Sequence, residues 1–502
     1  MTTFSRQLSL ALFFCTQKSI ILQKDEKQKK ERKNIMKNTL QTSKQNFVNG
    51  ALIDGTMLVD VDCNCDNVII PDDTEFVYRI SREIDLSKVK KMTVHSVEFL
   101  NALTLGFVKQ FPKHIVIDCA AMIPNFRRQY GASLITTAIL KVFYCQGVEY
   151  VDIINHDNYK TIDGIMYAQG GTILCQCPKS RRGEVKVPEG TMYIQQMAFS
   201  GCQIESIELP DSLKDIGGYT FENCKELKKV KLGNGVTIIG NGHIKGIFAG
   251  CKSLKHIDIP SQVNIIGEEA FANSGLETIT LHEGLHDIRK NAFVNCKSLE
   301  EIILPESVDY IEQNALPNIR RINASRYDNL NIIRSFNFGC TEYEDENLPQ
   351  MVMLNIGKKS VVIPRCMDTN DARSVNILLW KYFNEKEDID IANKVNHLYI
   401  YASTVDDQQN IAIEMIKRNP KDMATRKFIR ESSDNIISRM KHDKNEKGLV
   451  DMVKLEFIKN ESLHQMLQFA EDEHLSALTA YILGTINNDK AQKEIQKKKL
   501  SL

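Results

Sequence analysis

The sequence predicts an α+β chain in which a solenoid of short strands is followed by an all-α helical stack. The first observation behind this prediction is a phenylalanine-centred pattern that recurs five times between residues 198 and 296. Recurrence at a period of roughly 20–50 residues is typical of solenoids, whose stacked units bury one continuous core. The second observation is a change of the apolar pattern, from about residue 373, to the period of an α-helix.

Each repeat consists of a phenylalanine-centred turn followed by a strand. The five phenylalanines are separated by 22, 27, 23 and 22 residues, and the longest step contains an insertion around 241–243. The turns read AFSGC (198–202), TFENC (220–224), IFAGC (247–251), AFANS (270–274) and AFVNC (292–296). Apolar and polar residues alternate after each turn, which places alternate side chains inside and outside a strand. We therefore expect one short strand plus a turn or short helix in each 22–23-residue repeat.

This pattern resembles the BspA-type leucine-rich repeats, whose consensus reads roughly IG..AF..C.SL..I.IP. Residues 251–254 and 296–299, both Cys-Lys-Ser-Leu, match that consensus closely. Residues 162–167 and 185–190 are similar to the family's DG(V/L)LY…(I/V)P.G unit. The resemblance is specific from about 160 to 316, and it implies a leucine-rich repeat solenoid over this part of the chain.

The resemblance is incomplete at three positions of the array. Ser274 replaces a cysteine, and Gly233 and His282 replace prolines. Because one repeat lacks the cysteine, a function that requires a thiol in every repeat is disfavoured. For exported members of the family, the resemblance implies adhesion at the cell surface.

Pattern and composition divide the chain into six regions. They are 1–46 (a disordered leader or a mis-assigned start), 47–160 (a degenerate repeat or capping region), 161–319 (the repeat array), 320–372 (irregular closing strands), 373–488 (a helical domain) and 489–502 (a basic tail). Residues 52–55 and 68–72 echo the repeat unit, which favours irregular repeats ahead of the array. Further strands are expected at 92–94, 114–117, 351–354 and 361–364.

The carboxyl-terminal region reads as paired helices. The spacing of Leu463, Met466, Leu467 and Ala470 is the i, i+3, i+4, i+7 pattern of an amphipathic helix. Further helices are expected around Ile411–Ile416 and at 374–385, 388–404, 421–431, 433–441, 447–458 and 475–487. Such pairs with short polar breaks predict an ankyrin- or HEAT-like stack. The single tryptophan, Trp380, is expected in the core of the first helix, with an exposed aromatic anchor as the alternative.

Charge is distributed unevenly along a chain that is neutral overall. The 64 Lys+Arg and 64 Asp+Glu residues balance, but residues 1–50 carry +7, residues 51–489 carry −11 and residues 490–502 carry +4. Basic ends of this kind are usually solvated tails. The neutral total argues against a protein that coats nucleic acid, and no apolar stretch reaches the roughly 18 residues of a membrane span.

The amino terminus allows two interpretations. The apolar run Leu8–Cys15 behind Arg6 is typical of a secretory signal, although no small-residue cleavage site follows it. Residues 30–35 can instead be encoded as a purine-rich ribosome-binding site ahead of a bacterial or phage start at Met36. A start there leaves the chain at −5 and favours a cytoplasmic protein. A true signal in residues 1–35 predicts a secreted or cell-surface protein.

No motif in the sequence indicates catalysis. Cys63 with Cys65 and Cys175 with Cys177 form C-x-C pairs, which fit buried structural cysteines better than a zinc site. The repeat cysteines, Cys202, Cys224, Cys251 and Cys296, should form a column of buried thiols. H-E-x-x-H and G-x-S-x-G motifs do not occur. We expect no catalytic residue, no metal and no cofactor.

The outward positions of the strands are the candidate partner-binding residues. They are Ser206, Glu208, Lys229, Lys231, His256, Asp258, Thr278, Thr280, Glu301 and Ile303. A strip of mixed charge suits a protein partner better than a phosphate backbone; the alternative is a merely solvated face. The leading hypothesis is a non-enzymatic protein–protein interaction scaffold with an unidentified protein partner. An exported adhesin is the second hypothesis, and an enzyme the third.

Overall fold

A computed structural model describes residues 47–500 apart from 55–56, 73, 75, 78–83, 97–98, 101–107, 121–131, 241–244, 328–331 and 337–348. The predicted leader 1–46 and the insertion at 241–243 lie outside these described residues. The described residues fall into two compact units, one ending at Ser298 and the other beginning at Leu299. The predicted array 161–319 is therefore divided between the two units.

The first unit is built almost entirely of short strands. They are β1 (Ala51–Asp54), β2 (Met57–Val61), β3 (Asn67–Ile70), β4 (Phe76–Val77), β5 (Ile84–Asp85), β6 (Lys91–Val94), β7 (Val108–Gln110), β8 (His114–Asp118), β9 (Tyr150–Ile154), β10 (Tyr159–Ile162), β11 (Ile165–Ala168), β12 (Ile173–Gln176), β13 (Arg182–Lys186), β14 (Tyr193–Ile194), β15 (Gln203–Glu208), β16 (Asp215–Ile216), β17 (Lys229–Lys231), β18 (Ile238–Ile239), β19 (His256–Ile259), β20 (Ile265–Ile266), β21 (Thr278–Leu281) and β22 (Asp287–Ile288). Helix α1 (Ala132–Phe143) and a 3-10 turn (Gln169–Gly171) also lie in this unit.

The strand that follows each repeat turn pairs in parallel with its counterpart in the next repeat. One sheet has the order β13-β15-β17, and a second contains β19 and β21. Ile257 lies opposite Ile279, and exposed and buried residues alternate along β19. Because successive side chains of a strand point to opposite faces, the isoleucines enter the core while their neighbours face out. The predicted solenoid is confirmed.

Each repeat also contributes a second, two-residue strand that the sequence did not predict. These strands, β14, β16, β18, β20 and β22, pair in parallel on the other side of the turn. Each contains the isoleucine that precedes the turn, and all of these isoleucines are buried, namely Ile194, Ile216, Ile239, Ile266 and Ile288. Each coil of the solenoid therefore contains one longer and one shorter strand.

The phenylalanine-centred turns are not helical, so the short-helix alternative is wrong for the described turns. The residues two before and two after each phenylalanine have positive φ angles. Around Phe221, Tyr219 and Asn223 both have φ of 56°, and around Phe248 the flanking Gly246 and Gly250 have 61° and 73°. A right-handed helix requires negative φ at every residue. These two left-handed residues therefore prevent a helix in each turn.

The five turn phenylalanines form one continuous aromatic stack in the core. Each is at most 1% exposed. The ring centroids are 5.1 Å apart for Phe199 and Phe221, 5.2 Å for Phe221 and Phe248, 5.5 Å for Phe248 and Phe271, and 5.4 Å for Phe271 and Phe293. Stacking of neighbouring repeats therefore buries rings that no single repeat can enclose.

The repeat cysteines lie beside the stack as buried thiols, as the sequence predicts. The thiol of Cys202 donates to the Pro178 backbone oxygen at 3.4 Å, and the other three thiols donate to the backbone oxygen of an earlier repeat's phenylalanine. The Sγ–O distances are 3.0 Å for Cys224 to Phe199, 3.1 Å for Cys251 to Phe221 and 3.0 Å for Cys296 to Phe271. Burial raises the pKa of Cys251 to about 12 and that of Cys296 to about 11.

The solenoid extends ahead of the array into the region with degenerate repeats. Strands β3, β6, β8 and β9 form a parallel sheet, which includes the strands expected at 68–72, 92–94 and 114–117. Helix α1 was not predicted; it connects β8 to β9, and its Ala138, Ile139, Val142 and Phe143 are buried. An antiparallel hairpin of β1 and β2 precedes this sheet, and the Ile69 amide donates to the Asn49 carbonyl at 3.0 Å.

A close approach between consecutive coils constrains Gly267, which follows the buried Ile266. A Cβ added to Gly267 would lie 2.1 Å from the Gly240 carbonyl oxygen and 2.5 Å from the carbonyl carbon. Backbone atoms of a packed coil cannot move away without disturbing the next one. The glycine is thus required here by the space between coils.

We expect Gly267→Ala to lower the free energy of unfolding by about 1–3 kcal/mol, because overpacking forces the backbone to shift. Urea denaturation followed by circular dichroism measures this loss. Gly484→Ala is the matched control, since nothing lies within 4 Å of its added Cβ. An unchanged midpoint for Gly267→Ala would contradict the close approach.

The second unit begins with strands and continues with helices. Its strands are β23 (Glu301–Ile303), β24 (Tyr310–Ile311), β25 (Arg321–Ala324), β26 (Met351–Ile356) and β27 (Lys359–Pro364). Its helices are α2 (Ile332–Phe336), α3 (Thr369–Asn384), α4 (Ile389–Val395), α5 (Val405–Arg418), α6 (Met423–Glu431), α7 (Ser433–His442), α8 (Glu446–Lys454), α9 (Leu463–Asp472) and α10 (Ser476–Leu500), with 3-10 turns at Leu398–Tyr401 and Asn460–Ser462. Strands β23, β25 and β26 are parallel, and β27 returns antiparallel to β26.

The helical stack confirms the predicted all-α region, with local differences. Side chains that accept backbone N–H groups mark several helix starts, namely Asp368, Asp388, Thr404, Asp422 and Asn445. The single helix expected at 388–404 is divided into α4 and a 3-10 turn. Helix α10 reaches Leu500, so the predicted basic tail, 489–502, begins inside a helix.

The prediction that Trp380 lies in the core is wrong, because its side chain is 42% exposed. Helix α3 buries Ala372, Val375 and Leu379 instead. Ile377, three residues before the tryptophan, is 54% exposed. Trp380 and Ile377 therefore lie on the outward side of this helix.

Candidate interaction surface

The predicted partner-binding residues of the first unit lie on the outer side of its strands, which we call the strand face. Lys229, Lys231, His256, Asp258, Thr278 and Thr280 are exposed, whereas Ser206 and Glu208 are half-buried. Register places Ser206 opposite Lys229 and Glu208 opposite Lys231 in one sheet. His256 lies opposite Thr278, and Asp258 opposite Thr280, in the next sheet. The structure thus brings these eight residues together as two four-residue groups.

Neighbouring repeats are connected across the strand face by polar contacts. Lys231 Nζ lies 3.0 Å from Glu208 Oε1, and His256 Nδ1 lies 2.8 Å from Thr278 Oγ1. Asp258 instead contacts His282, at 2.8 Å from its Nε2. A hydrogen bond from Lys231 holds the pKa of the Glu208 carboxyl below its usual value. Several strand-face charges are therefore already paired within the solenoid.

The last two predicted residues belong to the second unit. Glu301 accepts hydrogen bonds from Arg321 Nη1 at 2.9 Å and from Asn323 Nδ2 at 2.6 Å. Ile303, on the same side of β23, is 66% exposed. The outer side of β23 thus combines a paired carboxylate with an exposed apolar side chain.

Ion pairs connect neighbouring repeats within each unit, at the residue just before the first outward position of a strand. Opposite charges occupy the same position in consecutive repeats, with N–O distances of 2.8 Å for Lys228 to Glu205, 2.9 Å for Lys255 to Glu277 and 3.3 Å for Arg320 to Glu300. A hydrogen bond from Lys228 holds the pKa of Glu205 below its usual value. Exposed pairs of this kind add little stability, but they fix where the charges of adjacent repeats lie.

Beside the strand face lies an open groove that the sequence did not predict, with a volume of about 770 Å³. We call it the Arg182 groove. Its lining combines charged, amide and small residues, namely Arg182, Gly201, Cys202, Gln203, Glu205, Asn223, Lys225, Glu226 and Lys228. One signal in the sequence was available: a lysine follows the repeat cysteine at Lys225, Lys252 and Lys297.

The described residues contain no group of three or more His, Cys, Asp or Glu side chains placed to hold a metal ion. In the C-x-C pairs, Cys65 Sγ donates to the Asn67 carbonyl at 2.8 Å, and Cys175 and Cys177 are buried. Burial raises the pKa of Cys175 to about 12. Among the described residues, no helix is both long and apolar enough to cross a membrane.

Comparison with known proteins identifies the repeat. The family model of the BspA type leucine-rich repeat region matches residues 177–246 and 244–360, in six copies. A search of curated proteins found no match.

Several solved structures match part of this chain. A leucine-rich cell surface protein of Faecalibacterium prausnitzii is 22% identical, over 50% of this chain and 60% of that one, with a TM-score of 0.29. A leucine-rich repeat protein of Bacteroides ovatus is 17% identical, over 62% and 69%, with a TM-score of 0.33. The pneumococcal vaccine antigen PcpA is 12% identical, over 62% and 65%, with a TM-score of 0.30. The chain thus covers less than two thirds of the Faecalibacterium protein.

Proposed function

Because residues 177–360 form a BspA-type leucine-rich repeat region, we propose that this chain is a non-enzymatic scaffold that binds a protein partner through its strand face. Solenoids use such extended surfaces for binding, since each repeat adds outward side chains at a fixed spacing. The observation that supports the proposal best is the exposure of Lys229, Lys231 and His256 on adjacent strands. The helical stack offers a second surface, where Trp380 is exposed.

The chemistry of the strand face supports a protein partner. Lysine, histidine and threonine side chains alternate there with the carboxylates of Glu208 and Asp258. Surfaces of mixed charge select complementary partners by placing opposite charges together and like charges apart. A phosphate backbone would meet repulsion at each carboxylate, so nucleic acid is disfavoured as the partner.

The strand-face proposal predicts that the triple variant Lys229→Ala, Lys231→Ala, His256→Ala loses the partner. We expect the apparent affinity to fall about tenfold, which corresponds to about 1.4 kcal/mol. Pull-down from the native cell with wild-type and variant protein, followed by quantitative mass spectrometry, measures the loss. Lys214→Ala with Lys252→Ala is the control, because both lysines are exposed and lie outside the strand face. If the triple variant recovers every partner as well as the wild type does, the strand face is not the binding surface.

We propose a cytoplasmic location, which the possible ribosome-binding site ahead of Met36 supports. The apolar run Leu8–Cys15 favours a second candidate, an exported adhesin. Amino-terminal sequencing of the native protein, together with cell fractionation, separates the two. A start at Met36 in the cytosolic fraction supports the scaffold, and cleavage after the apolar run with surface exposure supports the adhesin.

A further inference from the structure

We propose that the Arg182 groove binds an acidic peptide segment, extended across the turns of three consecutive repeats. This inference rests on the proposed function, because it names the chemistry of the segment that a protein partner would present. The groove volume of about 770 Å³ lies within the range of ligand sites, roughly 300–1,000 Å³. Its lining comes from the start of β13, the turn before β15 and the turn before β17.

Two cations of the groove are available to a ligand. Lys228 is paired with Glu205 at 2.8 Å. Arg182 and Lys225 are both exposed, and neither forms an ion pair with another described residue. The hydrogen bond and charge of Lys228 lower the pKa of Glu205, and the charge of Arg182 contributes to this shift. The groove therefore presents one guanidinium and one ammonium group that an incoming carboxylate can pair with.

The remaining lining fits a peptide better than a nucleic acid. A peptide backbone offers N–H donors and carbonyl acceptors, and the amides of Gln203 and Asn223 can accept and donate in return. Glu205 and Glu226 can accept the N–H groups of a peptide backbone, which the phosphodiester backbone of a nucleic acid does not offer. The polar lining also disfavours an apolar small molecule.

Local backbone geometry keeps the groove open and fixed. Gly201, with φ of 71°, has only the Lys179 Nζ near its added Cβ, at 3.8 Å. A ligand backbone can therefore approach the turn closely at this residue. Lys225 follows Cys224, whose thiol is held by the Phe199 carbonyl at 3.0 Å. Because the turns are held by the core stack, little conformational entropy is lost when a ligand binds.

Binding can be measured by fluorescence anisotropy with the full chain. The probes are a fluorescein-labelled peptide of alternating Glu and Gly, the same peptide with Gln or Lys in place of Glu, and a labelled single-stranded oligonucleotide. The test variant is Arg182→Glu with Lys225→Glu. The matched control is Lys252→Glu, since Lys252 occupies the same repeat position as Lys225 but does not line the groove. Circular dichroism establishes that each variant is folded.

We expect the Glu peptide to bind the wild type. Its affinity for the double variant should be at least about tenfold lower, and its affinity for Lys252→Glu should stay within about twofold of the wild-type value. Added salt should weaken this binding, because exposed charges are screened. The inference is overturned if the Gln peptide or the oligonucleotide binds as tightly, if Lys252→Glu weakens binding equally, or if the Glu peptide does not bind. If the double variant is unfolded, the neutral pair Arg182→Gln with Lys225→Gln replaces it, with the same expected direction. If the strand-face triple variant loses the cellular partner and the Glu peptide does not bind the wild type, the acidic-peptide inference is wrong. The proposed scaffold function is unaffected by that result.

Discussion

Replacing Phe248 with alanine is expected to lower the free energy of unfolding by about 3–5 kcal/mol. Phe248 is fully buried at the middle of the aromatic stack, with ring centroids 5.2 Å from Phe221 and 5.5 Å from Phe271. Alanine removes the ring and leaves a cavity between two coils, and both neighbouring rings lose a stacking partner. Urea denaturation followed by far-ultraviolet circular dichroism measures the change.

Two further variants separate stacking from general loss of aromatic surface. Phe248→Leu keeps apolar volume but no ring, so we expect a smaller loss than for alanine. Tyr193→Ala removes an aromatic residue that is 42% exposed on the same solenoid, and it should change stability by about 0.5 kcal/mol or less. Equal losses for Phe248→Ala and Tyr193→Ala would show that the stack does not stabilise the array.

Replacing Arg365 with leucine is expected to destabilise the second unit, by about 1–3 kcal/mol for each buried carbonyl oxygen that is left without a donor. Arg365 follows β27 and is 1% exposed. Its guanidinium donates hydrogen bonds to the backbone carbonyls of Pro317, Ile319 and Pro349, and to that of Phe336 at 3.4 Å. Burial lowers the pKa of Arg365 to about 9. Leucine fills part of the space but leaves these buried carbonyl oxygens without a donor.

The fluorescence of Trp380 provides the measurement, because this single tryptophan belongs to the same unit as Arg365. Arg365→Lys keeps a positive charge but loses the planar fork that reaches several carbonyls, so an intermediate loss is expected. Arg373→Leu, at an exposed position of α3, is the control and should change the midpoint little. A midpoint for Arg365→Leu that matches the control would contradict the role of these hydrogen bonds.

The spacing of the phenylalanines was sufficient to predict the solenoid, because rings that recur every 22–23 residues can be buried only against their counterparts. The turn conformation was harder to predict. Several turns contain helix-forming residues, such as the alanines of AFANS (270–274), and the left-handed backbone at residues such as Tyr219 and Glu269 prevents a helix. Tyrosine and glutamate rarely adopt positive φ, so these two residues gave no sign of it. The position two residues after each phenylalanine did give one, because it is always glycine or asparagine, namely Gly201, Asn223, Gly250, Asn273 and Asn295.

For each strand separately, the sequence was sufficient to predict which residues face outward. Alternation identified which residues of β17 and β19 face outward, because it depends on neighbours along the chain. The Arg182 groove depends on Arg182, Glu205 and Lys228, which come from three repeats and meet only when the coils stack. The prediction for Trp380 was wrong for a related reason. Helix α3 has apolar residues on more than one side, so the pattern did not identify which side is buried.

The repeat cysteines of the array are also chemically unreactive, because their thiols are buried and hydrogen-bonded. Cys251 is fully buried, and its pKa of about 12 leaves almost none of it as thiolate at neutral pH. Oxidants, alkylating reagents and partner disulfides react with thiolates, so none of them attacks this column while the coils remain stacked. Its cysteine content is therefore compatible with a reducing or an oxidising compartment, and reaction with a thiol reagent would report directly on the opening of neighbouring coils.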